Sequence, residues 1–372
     1  MRIHVAKERF VQALARTNTV VERRSTREIL EYVLLEATGG ALHLSATDLR
    51  VSLRYRVDAQ IDEGGQAAFR ARMLFEIVRE LPGDTVTVSM EDAQWATISA
   101  GRSVFRLPAL EASSYPSLPV PPDAFASAPA SVFREMLEKT LYAASNDESR
   151  IFLCGVYVKA LTNPDGSPVL RMVATDGHRL SLVERPVASP LPVFEEGVIL
   201  PKKGLAGLRA FLDDEEETFQ IAHEGGKVFA RFDGCDLALT LVEGTFPQYE
   251  EVIPSGASHT VVVDRGAFSD ALRRVSVLSD PQTHSVIMEV GSEGIELRSM
   301  NSQHGDARET LEAQVEGEPV RIAFNASYLV DAVRHVEGDS VRIEVSDPVL
   351  PCVVRSERDP GYLAVIMPIR ID

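Results

Sequence analysis

Phe10-Val11-Gln12-Ala13-Leu14, Phe133-Arg134-Glu135-Met136-Leu137 and Phe268-Ser269-Asp270-Ala271-Leu272 are one phrase written three times. Each opens a basic-and-apolar stretch in which the aromatic and the leucine stand four apart, on one face of a helix. A second series interleaves with the first: Leu74-x-x-Ile77-Val78, Leu205-x-x-Leu208 and Leu329-x-x-Ala332-Val333. Both series recur at roughly a third of the chain length, a domain-sized interval rather than the roughly 20 to 50 residues of a solenoid unit. The reading is three related domains in a row, at 1–120, 128–250 and 258–372.

Between the helical phrases the pattern switches to period two. Ala41 to Ala46 alternates, turns at Thr47-Asp48, and alternates again from Val51 to Val57. The second third repeats this with Val169 to Ala174, a turn at Thr175-Asp176-Gly177, and Leu180 to Val183; the third has Gly294 to Ser299 before Asn301. Alternation with β-branched and aromatic residues predicts half-buried antiparallel strands, and Asp or Asn suits the turns. Gly101 to Leu107 and Gly234 to Leu239 end the first two thirds alike, each followed by a proline phrase, Ser114-Tyr115-Pro116-Ser117-Leu118-Pro119 and Thr245-Phe246-Pro247-Gln248-Tyr249. Those prolines predict linkers near 118–130 and 247–259. The fold class is α+β, each domain two helices packed on antiparallel sheets.

The 372 residues are 45% hydrophobic and 25% charged, and each third is long enough to bury its own core. Cys154, Cys235 and Cys352 are odd in number and far apart, which argues against a disulfide framework and a zinc site. The N-terminus carries no apolar run of signal-peptide type, and no stretch reaches a membrane span, so the expected location is the cytoplasm, with no membrane partner. Net charge is −17, yet the helical phrases carry Lys7, Arg9, Arg16, Arg70, Arg72, Arg79, Lys202, Lys203, Arg209, Arg273 and Arg274, while acids gather in runs such as Asp213 to Glu217. Basic helices on an acidic protein suggest one common basic surface.

Catalytic signatures are weak. Gly225-Gly226-Lys227-Val228 lacks the spacing of a phosphate loop and reads as a turn. Asp176-Gly177-His178 could serve a hydrolase, but one Asp-x-His has little specificity. No serine sits in a nucleophile elbow. A binding or structural protein is expected, without cofactor or metal; the competing readings are an enzyme acting through Asp176 and His178 and a peptide-binding repeat scaffold.

Several phrases, in register with the repeat, resemble one family along the whole chain. They are Ala174-Thr175-Asp176-Gly177-His178-Arg179-Leu180, the ending Val365-Ile366-Met367-Pro368-Ile369-Arg370-Ile371, Arg24-Ser25-Thr26 with Ile29-Leu30, Arg150 to Gly155, Phe246-Pro247-x-Tyr249 and Phe324-Asn325-x-Ser327-Tyr328. The family is the bacterial DNA sliding clamp, the β subunit of DNA polymerase III. The resemblance implies a non-catalytic processivity factor: a head-to-tail homodimeric ring around double-stranded DNA, lined by helices, opened by an ATP-driven clamp loader, and shared by the replicative polymerase and repair proteins through short linear motifs.

It also implies residue roles. Arg24, Arg72, Arg150, Lys202 and Lys203 would meet DNA phosphates. Phe105 and Leu107 would close the ring against Val277 and Leu278, with Arg102 facing Asp306 and Glu309. A partner-peptide pocket would draw Leu153, Thr175, Gly177, His178, Arg179, Leu180, Pro247 and Val252 from one side, and Tyr328, Val349, Pro351, Val365, Met367, Pro368 and Arg370 from the other. Departures from the family pattern are Glu251 where a basic residue is common, Ile369 for a common Met, a terminal Asp372, acids at Asp147 and Glu148, and Arg27-Glu28 for a frequent proline.

Overall fold

A computed structural model describes residues 1–22, 25–212, 217–292 and 294–370. Its first third runs β1 (Arg2–Ala6), α1 (Lys7–Thr17), β2 (Tyr32–Thr38), β3 (Ala41–Thr47), β4 (Val51–Glu63), β5 (Gly65–Arg70), α2 (Ala71–Glu80), β6 (Thr85–Met90), β7 (Trp95–Ala100) and β8 (Ser103–Pro108). The second runs β9 (Ala126–Pro129), α3 (Ala130–Thr140), β10 (Gly155–Thr162), β11 (Pro168–Thr175), β12 (Arg179–Pro186), β13 (Val198–Pro201), α4 (Lys202–Leu212), β14 (Thr218–Glu224), β15 (Lys227–Phe232) and β16 (Cys235–Thr240). The third runs β17 (His259–Asp264), α5 (Arg265–Ser276), β18 (Ser285–Gly291), β19 (Gly294–Asn301), β20 (Gly305–Glu316), β21 (Val320–Asn325), α6 (Ala326–Arg334), β22 (Ser340–Val345), β23 (Cys352–Ser356) and β24 (Asp359–Ile366). Strand, helix, four strands, helix, three strands: the order is the same each time.

The helical phrases form helices because their apolar residues fall on one side. Phe10, Ala13 and Leu14 of α1 are buried, as are Leu74 and Val78 of α2 and Phe268, Ala271 and Leu272 of α5. Asp264 caps α5 by accepting from the Ala267 N–H, and Asn325 caps α6 through the Ser327 N–H. Each such cap satisfies a donor that the first helical turn leaves unpaired.

Contacts gather the chain into two compact units, one of Met1–Phe133 with Lys203–Leu241 and the other of Arg134–Lys202 with Val242–Asp372. In unit 1 the strand order is β8-β7-β6-β1-β4-β16-β15-β14-β9, with β3, β2 and β5 branching from β4. The long β4 is the hub: Val51 to Tyr55 pair with β16, while Ala59 to Glu63 pair with β1. In unit 2 the order is β13-β10-β11-β12-β24-β23-β22-β17-β20-β19-β18-β21. Here β12 joins β24, with Leu180 opposite Val365 and Leu182 opposite Leu363.

The structure departs from the sequence reading in particulars. The expected linker at 118–130 ends early, because Ala126–Pro129 is already β9, paired with β14. The expected linker at 247–259 holds a short 3₁₀ turn, Tyr249–Val252, whose Tyr249 is buried. Leu107 is 8% exposed and belongs to the core of unit 1, so its side chain faces inward rather than toward an interface. Arg24, Asp213 to Glu216 and Asp372 lie outside the described residues.

Unit 2 also buries charge. The Lys139 ammonium, 7% exposed, meets Glu135 at 2.9 Å, Glu337 at 2.6 Å and the buried Asp359. Arg185 reaches Glu135 at 2.5 Å and Asp359 at 2.9 Å. Carboxylate oxygens of Glu135, Glu337 and Asp359 lie within 4.8 Å of one another, and the lysine supplies the cation there. Burial works against the charge of Lys139, but hydrogen bonds to Asp359, Glu337 and Glu135 outweigh it and hold its pKa above the ordinary lysine value. Burial likewise opposes Glu135, yet Arg185 and Lys139 hold its carboxyl below the usual range. The raised lysine stabilises the fold below its ordinary pKa, an effect lost as pH climbs through the folded value. The depressed carboxylate stabilises above its ordinary pKa, an effect lost as pH falls through the folded value.

Urea unfolding across pH should therefore show these groups' contribution as a plateau between those limits. Lys139→Met, which leaves carboxylates short of a partner, should lose roughly 2 kcal/mol at neutral pH. A variant as stable as the parent at neutral pH would show the cluster to be neutral for folding.

Candidate functional site

The turn between β11 and β12 organises one corner of unit 2. Thr175 Oγ1 donates to the Arg179 carbonyl at 2.7 Å and accepts from the Gly177 N–H at 3.1 Å. Asp176 Oδ1 accepts from the N–H groups of His178 and Arg179 at 2.9 and 3.0 Å. A carboxylate that bonds its own backbone two and three residues on is a local reason for the chain to reverse here. Gly177 sits at φ +92°, and a Cβ on it would stand 3.0 Å from Arg150 Nη1. The left-handed backbone favours glycine here, and a Cβ would press only on the movable end of the Arg150 side chain.

Arg179 ties this turn to the rest of unit 2. Its guanidinium bonds Asp176 at 3.1 Å, Asp331 at 2.5 Å and the Tyr142 carbonyl at 2.8 Å. It also lies over the rings of Tyr328 at 4.5 Å and Tyr142 at 5.3 Å. Burial opposes its charge, but Asp331 and Asp176 outweigh it and raise its pKa further. Arg179 is thus a positioning group that fixes Tyr328 beside the turn.

The second side follows from the β12–β24 ladder. Beyond β24 the Met367 N–H donates to the His178 carbonyl at 2.9 Å, and the Ile369 N–H to the Ala323 carbonyl at 2.7 Å. These bonds lay the terminal segment beside the turn. Leu180 and Val365 are buried against Phe246 and Tyr249 and form a floor; Thr175 pairs with Leu180 across the ladder, and Leu153 is buried too. Tyr328, Pro351 and Pro368 are half-buried, whereas His178, Pro247, Val252, Val349, Met367 and Arg370 are exposed around it. Met367 at 41%, Val252 at 48% and Val349 at 68% are large apolar groups left in water. Several such residues around one corner mark an interaction surface more than isolated ones do. Of the departures nearby, Glu251 is exposed and Ile369 half-buried.

The arrangement does not suit hydrolysis. Both Asp176 oxygens are engaged, one by backbone amides and one by Arg179, so the carboxylate is committed to structure.

The expected phosphate contacts divide. Arg72 on α2 is well exposed, with Glu76 one turn away at 3.2 Å. Lys203 pairs with Asp48. Lys202 donates to the Ala144 carbonyl and Asn146 Oδ1, both at 2.8 Å, and burial lowers its pKa. Arg150 is held by Asp147 at 3.2 Å and stands beside Gly177, at the same corner of unit 2. Asp147, one of the departures from the family pattern, is the group that orients Arg150. Glu28 in turn pairs with Arg70, which also bonds Glu31 at 2.7 Å.

Among the strand edges left open in the described residues, two carry large apolar groups beside them. In unit 1, β8 ends its sheet with β7 as neighbour; Val104 is 67% exposed, Phe105 40%, and Arg102 is exposed in the preceding turn. In unit 2, Gly305 to Glu312 pair with β19 on one side, while β17 takes Ala313 to Glu316 on the other. Around that edge stand Val277 at 79%, the half-buried Leu278, exposed Asp306, and Glu309 in a 2.5 Å pair with Arg274. Val104 and Met300, the latter 78% exposed, were missed on sequence. Their signal was an apolar residue on the solvent side of an alternating strand.

Three family models match in order: the DNA polymerase III beta subunit N-terminal domain over residues 1–119, its central domain over 127–248 and its C-terminal domain over 250–370. The chain is 37% identical over 376 residues to a beta sliding clamp of Caulobacter vibrioides, with all of both chains covered. It is 31% identical to one of Pseudomonas putida, again covering both in full. Among solved structures it is similar to a DNA polymerase III subunit beta from Bartonella birtlesii bound to griselimycin, at 33% identity and a TM-score of 0.94 with 100% of each chain covered.

Gly177→Ala should destabilise the fold by about 1 kcal/mol, from the left-handed backbone, and Gly177→Asn by less. Thermal unfolding of both checks this; equal stability of all three proteins would remove the conformational argument.

Proposed function

The chain belongs to the DNA polymerase III β-subunit family, the bacterial sliding clamps, and from that membership we propose how its residues do the work. It is a non-catalytic processivity clamp for DNA polymerase, of three clamp domains, which we set at 1–120, 128–250 and 258–372. The observation that carries the reading is the match of all three family models, in order, along a chain whose strand-and-helix order itself repeats three times.

Two copies close head to tail when β8 of one pairs with the open half of β20 of the other. Each chain carries one edge of each kind, so two contacts close the ring and leave neither edge free. Phe105, with Val104, covers Val277 and Leu278 of the second copy; Arg102 meets Asp306 and Glu309. Leu107 contributes backbone pairing and keeps its side chain in the core.

Duplex DNA is held by topology. Arg72, Arg150 and Lys203, with Arg24 and Lys202, offer phosphates a thin basic lining on a protein of net charge −17. Phosphate contacts carry no base information and weaken as salt rises, which suits a ring that must slide. The corner of Gly177, His178, Arg179, Tyr328 and Met367 takes short linear motifs of the replicative polymerase, the clamp loader and repair proteins. Apolar residues of the motif sit over Leu180 and Val365, and Met367 adapts to their shape. Glu251 at the rim favours motifs with basic flanks.

Loading onto nicked circular DNA with the cognate loader and ATP, followed by linearisation, tests the topology. Release on cutting is expected; retention on linear DNA would replace the ring by direct binding. Phe105→Glu combined with Val277→Glu, which sets like charges against each other across each contact, should shift sedimentation from dimer to monomer, and an unchanged dimer would move the interface elsewhere. Met367→Asp should leave the ring intact while weakening polymerase binding about tenfold or more.

A further inference from the structure

We propose that unit 1 carries a second docking groove, built on the repeat-related copy of the unit 2 corner, for an extended partner peptide with apolar anchors beside carboxylates. The proposal rests on reading the unit 2 corner as a peptide site.

The two corners share a backbone. Thr47 Oγ1 donates to the Val51 carbonyl at 3.0 Å and accepts from the Leu49 N–H at 3.0 Å, as Thr175 does with Arg179 and Gly177. Asp48 Oδ1 accepts from the Arg50 and Val51 N–H groups at 2.9 and 2.6 Å, as Asp176 does from His178 and Arg179. Even the left-handed residue is kept: Leu49 holds φ +73° where the other turn has glycine, and its side chain is 47% exposed. The Thr240 N–H donates to the Arg50 carbonyl at 2.8 Å, matching Met367 to His178 at 2.9 Å. Then β4 pairs with β16 as β12 pairs with β24.

What differs is the filling. Leu180 and Leu182, opposite Val365 and Leu363 in unit 2, are replaced by Ser52 and Arg54, opposite Ala238 and Asp236. The large aliphatic groups that close the sheet face in unit 2 are absent from these positions. A cavity of about 330 Å³ opens between that face and the proline-rich segment Tyr115 to Pro121. Its apolar wall includes Leu34, Leu118, Val120 and Phe229. A second hollow, of about 360 Å³, shares Arg54 and Asp236 and adds His43, Arg56 and Arg231. The groove is therefore apolar at one end and rich in guanidinium at the other. Arg54 stands 3.6 Å from Glu36 and is half-exposed; Arg56 stands 3.2 Å from Asp58 and is more than half-exposed. Both keep solvent-facing donors for an incoming carboxylate. Arg231 is held by Asp236 at 2.7 Å, and the wall of Leu34, Leu118, Val120 and Phe229 offers a polyphosphate chain nothing to bind, so a peptide with apolar anchors whose carboxylates reach Arg54 and Arg56 is the complementary occupant.

The test is site-resolved photocross-linking of the full-length protein with a hexapeptide carrying two leucines, one benzoylphenylalanine and two C-terminal aspartates. Cross-links mapped by mass spectrometry should fall in residues 115–121 or 229–238 as well as at the unit 2 corner. Arg54→Glu, a surface change, should cut the unit 1 cross-links about tenfold while sparing the others, and Ala238→Trp should fill the cavity to the same effect. Met367→Asp should show the reverse pattern. No unit 1 cross-link at roughly 1 mM peptide, or one indifferent to Arg54→Glu, overturns the second groove. Loss of unit 2 cross-links alone from the parent's map would instead overturn the docking role proposed for that corner.

Discussion

Backbone hydrogen bonding between strands distant in sequence is the constraint on which the other features rest. Val51 to Tyr55 of β4 must find partners for their amides and carbonyls, and they find them in Cys235 to Leu239. In unit 2, Arg179 to Val183 find theirs in Tyr362 to Ile366. Leaving such ladders unpaired would cost a buried polar group at every other residue. Each ladder also fixes what lies at its end. The terminal segment lies beside the unit 2 turn because the chain leaves β24 just where the Met367 N–H can bond the His178 carbonyl, and in unit 1 the Thr240 N–H does the same at Arg50.

Charge is handled differently inside and outside. The interior charges are committed: Arg179 to two aspartates and two tyrosine rings, Lys139 to three carboxylates, Lys202 to a carbonyl and an amide. These groups position backbone, and removing Lys139 would leave the buried Asp359 carboxylate short of a partner. Exposed cations such as Arg72 are held loosely, and loose charges suit contact with phosphates that must be made and broken as a ring moves. The same residue types are thus either tied down or left loose, separated by burial.

Much of this was legible beforehand. The threefold phrase and the alternation between its copies carried the α+β class and the repeating element order, because a 3.6-residue period and a two-residue period are local properties of a sequence. The Thr-Asp-Gly turn was legible for the same reason, since its hydrogen bonds close within five residues. Leu107 was not: on an edge strand an apolar residue can face either side, and only the twist and packing of β8 turned it inward. Lys202 and Arg150 were read as exposed lining, while their partners, Ala144, Asn146 and Asp147, come from loops whose paths no period announces. The equivalence of the Thr47 and Thr175 turns was visible in the letters, yet its consequence, an open groove beside Ser52 and a filled face beside Leu180, required the opposing residues Ala238 and Val365.

The sequence by itself determined the elements, their order, their threefold repetition and the family, all of which follow from short-range patterning read along the chain. The tertiary structure decided which strands join across the thirds, which lysines and arginines are tied down, which apolar residues remain in water and which copy of the turn opens into a groove. Those outcomes depend on ladders between residues more than a hundred positions apart, on loop paths that bring groups such as Ala144 to Lys202, and on the volume left when side chains from different strands meet on one sheet face, quantities that no local pattern carries.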